Sequence, residues 1–147
     1  MSRSLRVLLV FVSLVSSVFA ADRGSLIRQA NIYLSPDAKS AKLGEVERGR
    51  ELVFLESTPG WVHVMAMLGE EKTVTGWMLD KGIVRATSQD GDRILFGEGT
   101  DSEDQASRRR GRRGAADDAA RLYYRVYDLY PASPYAGEAL YRAADIR

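Results

Sequence analysis

Cysteine is absent from the 147-residue chain, and histidine occurs once, as His63. The lack of cysteine excludes disulfide bonds, thiolate metal sites and a cysteine nucleophile. A single histidine excludes metal centres built from several imidazoles and leaves a serine–histidine catalytic arrangement without support. The composition therefore predicts no metal and no cofactor. Only carboxylate chemistry is left open to an enzyme, and no pair of carboxylates stands out in the sequence, so we expect a protein without enzymatic activity.

A large excess of charge of either sign is also missing, since 21 Lys and Arg residues stand against 20 Asp and Glu residues. Removal of an N-terminal leader that contains Arg3 and Arg6 leaves 19 basic and 20 acidic residues. Such a balance gives no overall field that would attract nucleic acid or a membrane surface. We therefore expect no nucleic-acid partner.

Residues 1–20 have the three zones of a secretory signal peptide. Arg3 and Arg6 form a basic start, an apolar run follows over residues 7–18, and Val18-Phe19-Ala20 precedes the expected cleavage point. The apolar run is shorter than the roughly 20 residues of a membrane-spanning helix, which disfavours the alternative of an uncut anchor. We expect a bacterial protein that is periplasmic or secreted and has no stable membrane insertion after cleavage.

Alternating apolar and polar residues with frequent glycine and proline dominate the next part of the chain, typical of short strands joined by tight turns. The pattern predicts five strands, at residues 25–32, 42–46, 51–56, 61–66 and 73–79. Five strands in so short a segment favour a small, strongly bent all-β barrel over residues 24–86.

Charge is segregated over residues 97–114, where acidic residues come first and five arginines follow from Arg108 to Arg113. We interpret this segment as a charged linker, a hinge or a loose helix. Ser102 and Gln105 have the spacing of a capping box, and Gly111 and Gly114 are expected to interrupt a helix there.

Apolar residues have helical spacing over residues 115–147. Apolar residues recur at three- and four-residue steps at Ala116, Ala119, Ala120, Tyr123, Val126, Tyr127 and Tyr130, and a second stripe follows at Ala136, Leu140, Ala143 and Ala144. The segment Tyr130-Pro131 breaks the first helix, and Ser133 with Pro134 begins the second. We predict an antiparallel helix pair, an α-helical hairpin.

One helix pair cannot bury both of its faces, and helical arrays generally need about three repeats. Two explanations remain open. The sequence is a fragment that ends inside a repeat array, or it is complete and the pair packs on the barrel or on another subunit in a homo-oligomer.

Two segments carry family resemblances. Residues 30–78 resemble the bacterial Src-homology-3-type (SH3b-like) domain family, through Ala30-Asn31-Ile32-Tyr33-Leu34-Ser35-Pro36, Lys42-Leu43-Gly44-Glu45-Val46, Gly60-Trp61-Val62-His63-Val64 and Thr75-Gly76-Trp77-Met78. Two departures are Tyr33, where many members have arginine, and a long charged connection over residues 66–74. The C-terminal segment resembles one tetratricopeptide-type (TPR-like) repeat of periplasmic envelope proteins, through Ala119, Tyr123, Tyr127, Tyr130-Pro131, Ser133, Ala136, Ala139 and Ala143.

These resemblances imply binding sites on both parts of the chain. For the barrel, the groove candidates are Tyr33, Pro36, Trp61 and Trp77, although we also expect at least one tryptophan to belong to the core. His63 is expected at the surface or the groove rim. For the helical part and the linker, the partner-contact candidates are Tyr124, Tyr141, Arg109 and Arg112.

The resulting expectation is a non-enzymatic binding or scaffolding protein of the cell envelope, whose partner is an envelope protein or a cell-wall peptide. The alternative is a peptidoglycan-targeting module of a cell-wall enzyme whose catalytic part lies outside this sequence.

Overall fold

A computed structural model describes residues 22–146, so the predicted leader lies outside the described residues. Seven strands come first: β1 (Arg23–Leu26), β2 (Ala30–Tyr33), β3 (Lys42–Val46), β4 (Glu51–Thr58), β5 (Trp61–Leu68), β6 (Lys72–Leu79) and β7 (Ile83–Arg85). Three helices follow: α1 (Gly91–Ser107), α2 (Ala115–Leu129) and α3 (Ala136–Ile146). The prediction of a mixed chain, with a β part followed by helices, is confirmed. None of these helices is long and apolar enough to cross a membrane.

The strands form one antiparallel sheet in the order β3-β2-β6-β5-β4-β1-β7. β2 and β6 meet only at the pair Tyr33 and Trp77, whereas β5 and β6 pair along their full length. The sheet curls so strongly that β3 approaches the end of β5. A Cβ placed on Gly44 of β3 would lie 2.5 Å from a methyl carbon of Leu68. Its concave side is filled by the apolar side chains of Leu26, Ile32, Val46, Leu52, Val62, Val64, Ala66 and Met78.

The first predicted strand, residues 25–32, is two strands in the structure. The chain bends at residues 27–29, where the Ile27 amide donates to the Gly82 carbonyl. This bend lets β1 pair with β4 and β7 while β2 pairs with β3 and β6. β7 is an additional strand that the sequence pattern did not predict.

The helical segments differ from prediction mainly in α1. This helix begins at Gly91, ahead of the predicted linker, and ends at Ser107, so residues 108–114 alone form an irregular connection. Ser102 is therefore a buried residue inside the helix and caps nothing. Ser133 does act at the start of α3, where its hydroxyl accepts from the Tyr135 amide at 3.1 Å.

A second core unites the helices with the end of the sheet. Val84 of β7 belongs to the same buried cluster as residues of all three helices: Leu95, Ala119, Leu122, Tyr123, Val126, Leu129, Ala139 and Ala143. The buried stripe of α3 is Ala136, Ala139 and Ala143, whereas Leu140 and Ala144, predicted for that stripe, are exposed. Ala116 and Tyr127, predicted for the stripe of α2, are exposed as well.

Candidate functional site

Four aromatic side chains lie together on the convex side of the sheet, and we call them the aromatic face: Tyr33, Trp61, His63 and Trp77. Alternation along β5 places Trp61 and His63 opposite the buried Val62 and Val64. His63 stacks on Trp77, its cross-strand partner, with ring centroids 4.7 Å apart and planes 13° apart. Tyr33 is paired with Trp77 on the other side and meets Trp61 edge-on at 5.8 Å.

Each member of the aromatic face is half-buried, so each is packed against its neighbours and still partly accessible to solvent. The expectation of a tryptophan in the core is wrong. Both indoles follow the outward alternation of their strands, because valine and methionine already occupy the inward positions. Pro36 lies in the exposed loop after β2. Besides its stack on Trp77, His63 has the carboxylate of Glu56 at 3.4 Å from Nδ1.

A second surface, the helical groove, is a concave cavity of about 390 Å³ lined by residues of α2 and α3 and by Arg50 and Glu70 of the β part. Its apolar lining comes from Ala120, Tyr124, Leu140, Ala143 and Ala144. Tyr124 and Leu140 remain 41% and 38% exposed. These side chains form an apolar strip that an additional helix or peptide could cover.

The polar side of the helical groove is formed by Glu70 and by three arginines, Arg50, Arg121 and Arg125. Arg121 is 8% exposed and donates through Nε to the Arg48 carbonyl at 2.8 Å. Arg125 donates through Nε to the Gly49 carbonyl at 3.0 Å. These two hydrogen bonds fix the positions of the Arg121 and Arg125 guanidinium groups against the backbone of the β3–β4 turn.

The helical groove continues onto the convex side of the sheet. A neighbouring cavity of about 240 Å³ shares Arg50 and Arg125 with it and is lined on the sheet side by Val53, Met65 and Met67. Both methionines are 38% exposed. The two cavities together form one elongated surface, whose apolar walls come from both parts of the chain.

The remaining predicted contact residues lie apart from these surfaces. Tyr141 on α3 is 70% exposed and is not among the residues that line the helical groove. Arg109 is exposed in the connection between α1 and α2. Arg112, in the same connection, donates hydrogen bonds to the Asp118 carboxylate at 2.7 Å and to the Gln105 side-chain oxygen at 3.3 Å.

Sequence reasoning missed the arginines and methionines of the elongated surface. Arg121 and Arg125 are four residues apart, which places them on one side of a helix. Met65 and Met67 continue the outward alternation of Trp61 and His63. Both spacings are visible in the sequence, but the sharing of Arg50 and Arg125 between two cavities depends on how the helices pack on the sheet.

The chemistry of both surfaces suits binding. Within residues 22–146, no group of three or more His, Cys, Asp or Glu side chains is placed to hold a metal ion. Two tyrosines with a shifted pKa lie in the core that unites the helices with β7. Burial raises the pKa of Tyr123, whose hydroxyl donates to the Glu103 carboxylate at 2.5 Å, and burial also raises the pKa of Tyr130. These groups support packing and lie away from the aromatic face.

Comparison with protein-family models, with curated proteins and with solved structures finds no match for this chain.

Proposed function

We propose that this chain is an exported, non-enzymatic binding and scaffolding protein of the bacterial cell envelope, acting through protein–protein interaction. The observation that carries the proposal is the helical groove, which presents an apolar strip beside arginines already held in place by the turn before β4. Rigid aromatic and aliphatic contacts flanked by fixed polar groups are the usual composition of a protein interface.

The finer structural assignments belong to the same proposal. We assign the curled sheet to the bacterial SH3-like class and the pair α2–α3 to the TPR-like class, and residues 1–20 to a cleaved signal peptide. The strong curl of the sheet, with β3 lying against the end of β5, supports the first assignment. The exposed strip of Tyr124, Leu140 and Ala144 supports the second, because stacked helix pairs present such strips to the next helix or to a bound peptide.

Photo-crosslinking in cells tests the proposed interface. A photoreactive amino acid replaces Tyr124 in one variant and Tyr141 in another, and Ile94 on α1 is the matched control because it is 42% exposed against 41% for Tyr124. We expect a discrete crosslinked partner from position 124 that position 94 does not give. The same products from positions 124 and 94, or no product from position 124, would contradict an interface in the helical groove, whereas a product from position 141 alone would place the interface on the outer side of α3.

The second candidate function, a peptidoglycan-targeting module of a cell-wall enzyme, is favoured by the aromatic face. Four supported rings on a convex sheet surface suit stacking against sugar rings or peptide bonds. Trp61→Ala is expected to weaken sedimentation with purified sacculi at least several-fold while circular dichroism stays unchanged. Tyr141→Ala is the control, and equal binding by wild type, Trp61→Ala and Trp77→Ala would exclude this candidate.

A further inference from the structure

The connection between α1 and α2, residues 108–114, is the most basic surface of the described chain, and we call it the arginine loop. Five of its seven residues are arginines, and all seven are exposed. The acidic residues nearest to it in sequence are Asp101, Glu103 and Asp104 before it and Asp117 and Asp118 after it. They balance the five arginines over residues 101–118, but residues 108–114 themselves carry five basic side chains and no acidic one.

Two of the five arginines hold the loop in place. Arg108 pairs with Asp104 at 2.8 Å, and Arg112 pairs with Asp118 at 2.7 Å. Among the ion pairs of the described residues, none involves Arg109, Arg110 or Arg113. Three guanidinium groups thus remain available within five residues of chain.

The backbone of the arginine loop is folded tightly onto the end of α1. The Gly111 amide donates to the Arg108 carbonyl at 3.0 Å, and the Ala115 amide donates to the Arg112 carbonyl at 3.2 Å. A Cβ at position 111 would lie 1.9 Å from the Gln105 carbonyl oxygen, so only glycine fits there. The loop therefore presents its free arginines from a preformed turn, which lowers the entropy cost of binding.

The shape of the loop indicates the kind of partner. Neither of the two cavities described above is lined by a residue of the arginine loop, and the loop is exposed throughout, which suits a broad surface better than an enclosed small anion. The planar guanidinium fork matches phosphate oxygens in pairs. Clusters of basic residues gain affinity from every phosphate headgroup that they approach on an anionic bilayer.

We infer that the arginine loop is a peripheral membrane-binding site, in which Arg109, Arg110 and Arg113 contact the phosphate headgroups of an anionic lipid bilayer. The contact is electrostatic and involves no insertion into the hydrocarbon. It adds a third surface to the aromatic face and the helical groove, and it does not depend on the function proposed for either.

Vesicle sedimentation of the full chain tests this inference, with wild type compared against the triple variant R109Q/R110Q/R113Q. The leader is the same in both proteins, so the difference between them reports the loop. Each basic residue near an anionic surface contributes about five-fold in affinity, and we expect the triple variant to bind vesicles containing about one-third phosphatidylglycerol roughly 100-fold more weakly. The wild-type affinity should fall steeply with added salt, and the two proteins should bind neutral phosphatidylcholine vesicles equally.

The matched control is K39Q/K72Q/K81Q, which removes the same charge from three exposed lysines elsewhere on the chain. This control is expected to bind the anionic vesicles within a few-fold of wild type. An equal loss in both triple variants would show that only net charge matters and would overturn the site. Retention on heparin that depends on the three arginines, without any loss of vesicle binding in the triple variant, would overturn the lipid assignment in favour of a soluble polyanion.

Discussion

Asp92, in the first turn of α1, is joined to the turn between α2 and α3 by a hydrogen bond from the Ser133 hydroxyl at 2.6 Å. This hydrogen bond is the main reason that the pKa of Asp92 lies below its ordinary value. Ser133 at the same time accepts from the Tyr135 amide at the start of α3. One hydroxyl thus connects the beginning of α1 with the beginning of α3.

The lowered pKa of Asp92 predicts a stability contribution that depends on pH. A carboxylate whose pKa is lower in the folded state stabilises that state above the unfolded pKa, near 4, and the contribution is lost as the pH falls through the folded pKa. Asp92→Asn is expected to cost about 1 kcal/mol at neutral pH. Between neutral pH and pH 3, urea unfolding should show a smaller loss of stability for this variant than for wild type.

A double-mutant cycle provides the control for Asp92. Ser133→Ala should lower the free energy of unfolding in wild type but have a much smaller effect when combined with Asp92→Asn, because the shared hydrogen bond is already gone. Additive effects, together with the same acid slope in wild type and Asp92→Asn, would contradict the assigned role of this hydrogen bond.

At the scale of elements, α1 packs through unusually small residues. Its buried positions are Gly91, Leu95, Gly99 and Ser102, spaced by four, four and three residues. The ring of Tyr123 from α2 occupies the space beside Gly99, where an added Cβ would lie 2.8 Å from the ring. Small residues on one helix and a large ring on the other allow the two helices to approach closely.

This packing predicts opposite effects for two glycines of the same helix. Gly99→Ala is expected to destabilise the fold by about 1–3 kcal/mol, because the new methyl group collides with the buried Tyr123 ring. Gly97→Ala is expected to stabilise it by up to about 1 kcal/mol, because alanine is the better helix former and position 97 is exposed with no neighbouring atom within 4 Å. Chemical denaturation monitored by circular dichroism measures both.

The two alanine variants control for each other, since both make the same chemical change in α1. A gain of stability in both would mean that α1 does not pack on Tyr123 as described. A loss in both would mean that helix propensity does not limit the stability of α1.

At the scale of the whole molecule, the β part and the helices are joined by buried contacts and by ion pairs. Val84 of β7 lies within the helical core. Arg23 of β1 pairs with Asp128 of α2 at 2.6 Å, and Arg48 pairs with Glu98 of α1 at 2.6 Å. Connections of this kind resist the independent movement expected of two modules on a hinge.

We therefore predict a single cooperative unfolding transition. Both tryptophans of the chain, Trp61 and Trp77, lie in the sheet, so tryptophan fluorescence reports on the β part, whereas far-ultraviolet circular dichroism is dominated by the helices. The two signals should have the same denaturation midpoint. Val84→Ala should lower the free energy of unfolding by about 1–3 kcal/mol. The midpoints of both signals should therefore fall together. Separate midpoints, or a shift of the helical signal alone, would show two independently folding units.

A rigid connection bears on the proposed scaffolding function. If the sheet and the helices move together, the distance between the aromatic face and the helical groove is set by packing and does not vary with linker length. The gain in affinity from binding two partners at once then depends on whether their geometry matches this fixed spacing. The arginine loop is the longest irregular connection among the helices, and its own contacts hold it in place.

Much of the fold was predictable because the relevant signals are local. Outward alternation and glycine turns located β3 to β6, and helical spacing with the Tyr130-Pro131 break located α2 and α3. β7 was missed because a three-residue strand has too short a pattern, and it pairs with a strand far back in the sequence. The bounds of α1 were predicted wrongly because three of its four buried residues, Gly91, Gly99 and Ser102, give no hydrophobic pattern.

The candidate sites divide in the same way. The sequence by itself determined the period of each element, and the alternation around Val62 and Val64 was enough to predict an outward His63. Period alone did not decide burial, since a tryptophan was expected in the core and Leu140 in the buried stripe of α3, and neither is found there. Only the tertiary structure decided which side chains meet. His63 and Tyr33 support Trp77 because their strands pair, and Arg50 and Arg125 join two cavities because α2 rests on the turn before β4. Such meetings depend on contacts between residues distant in sequence, which local spacing does not encode.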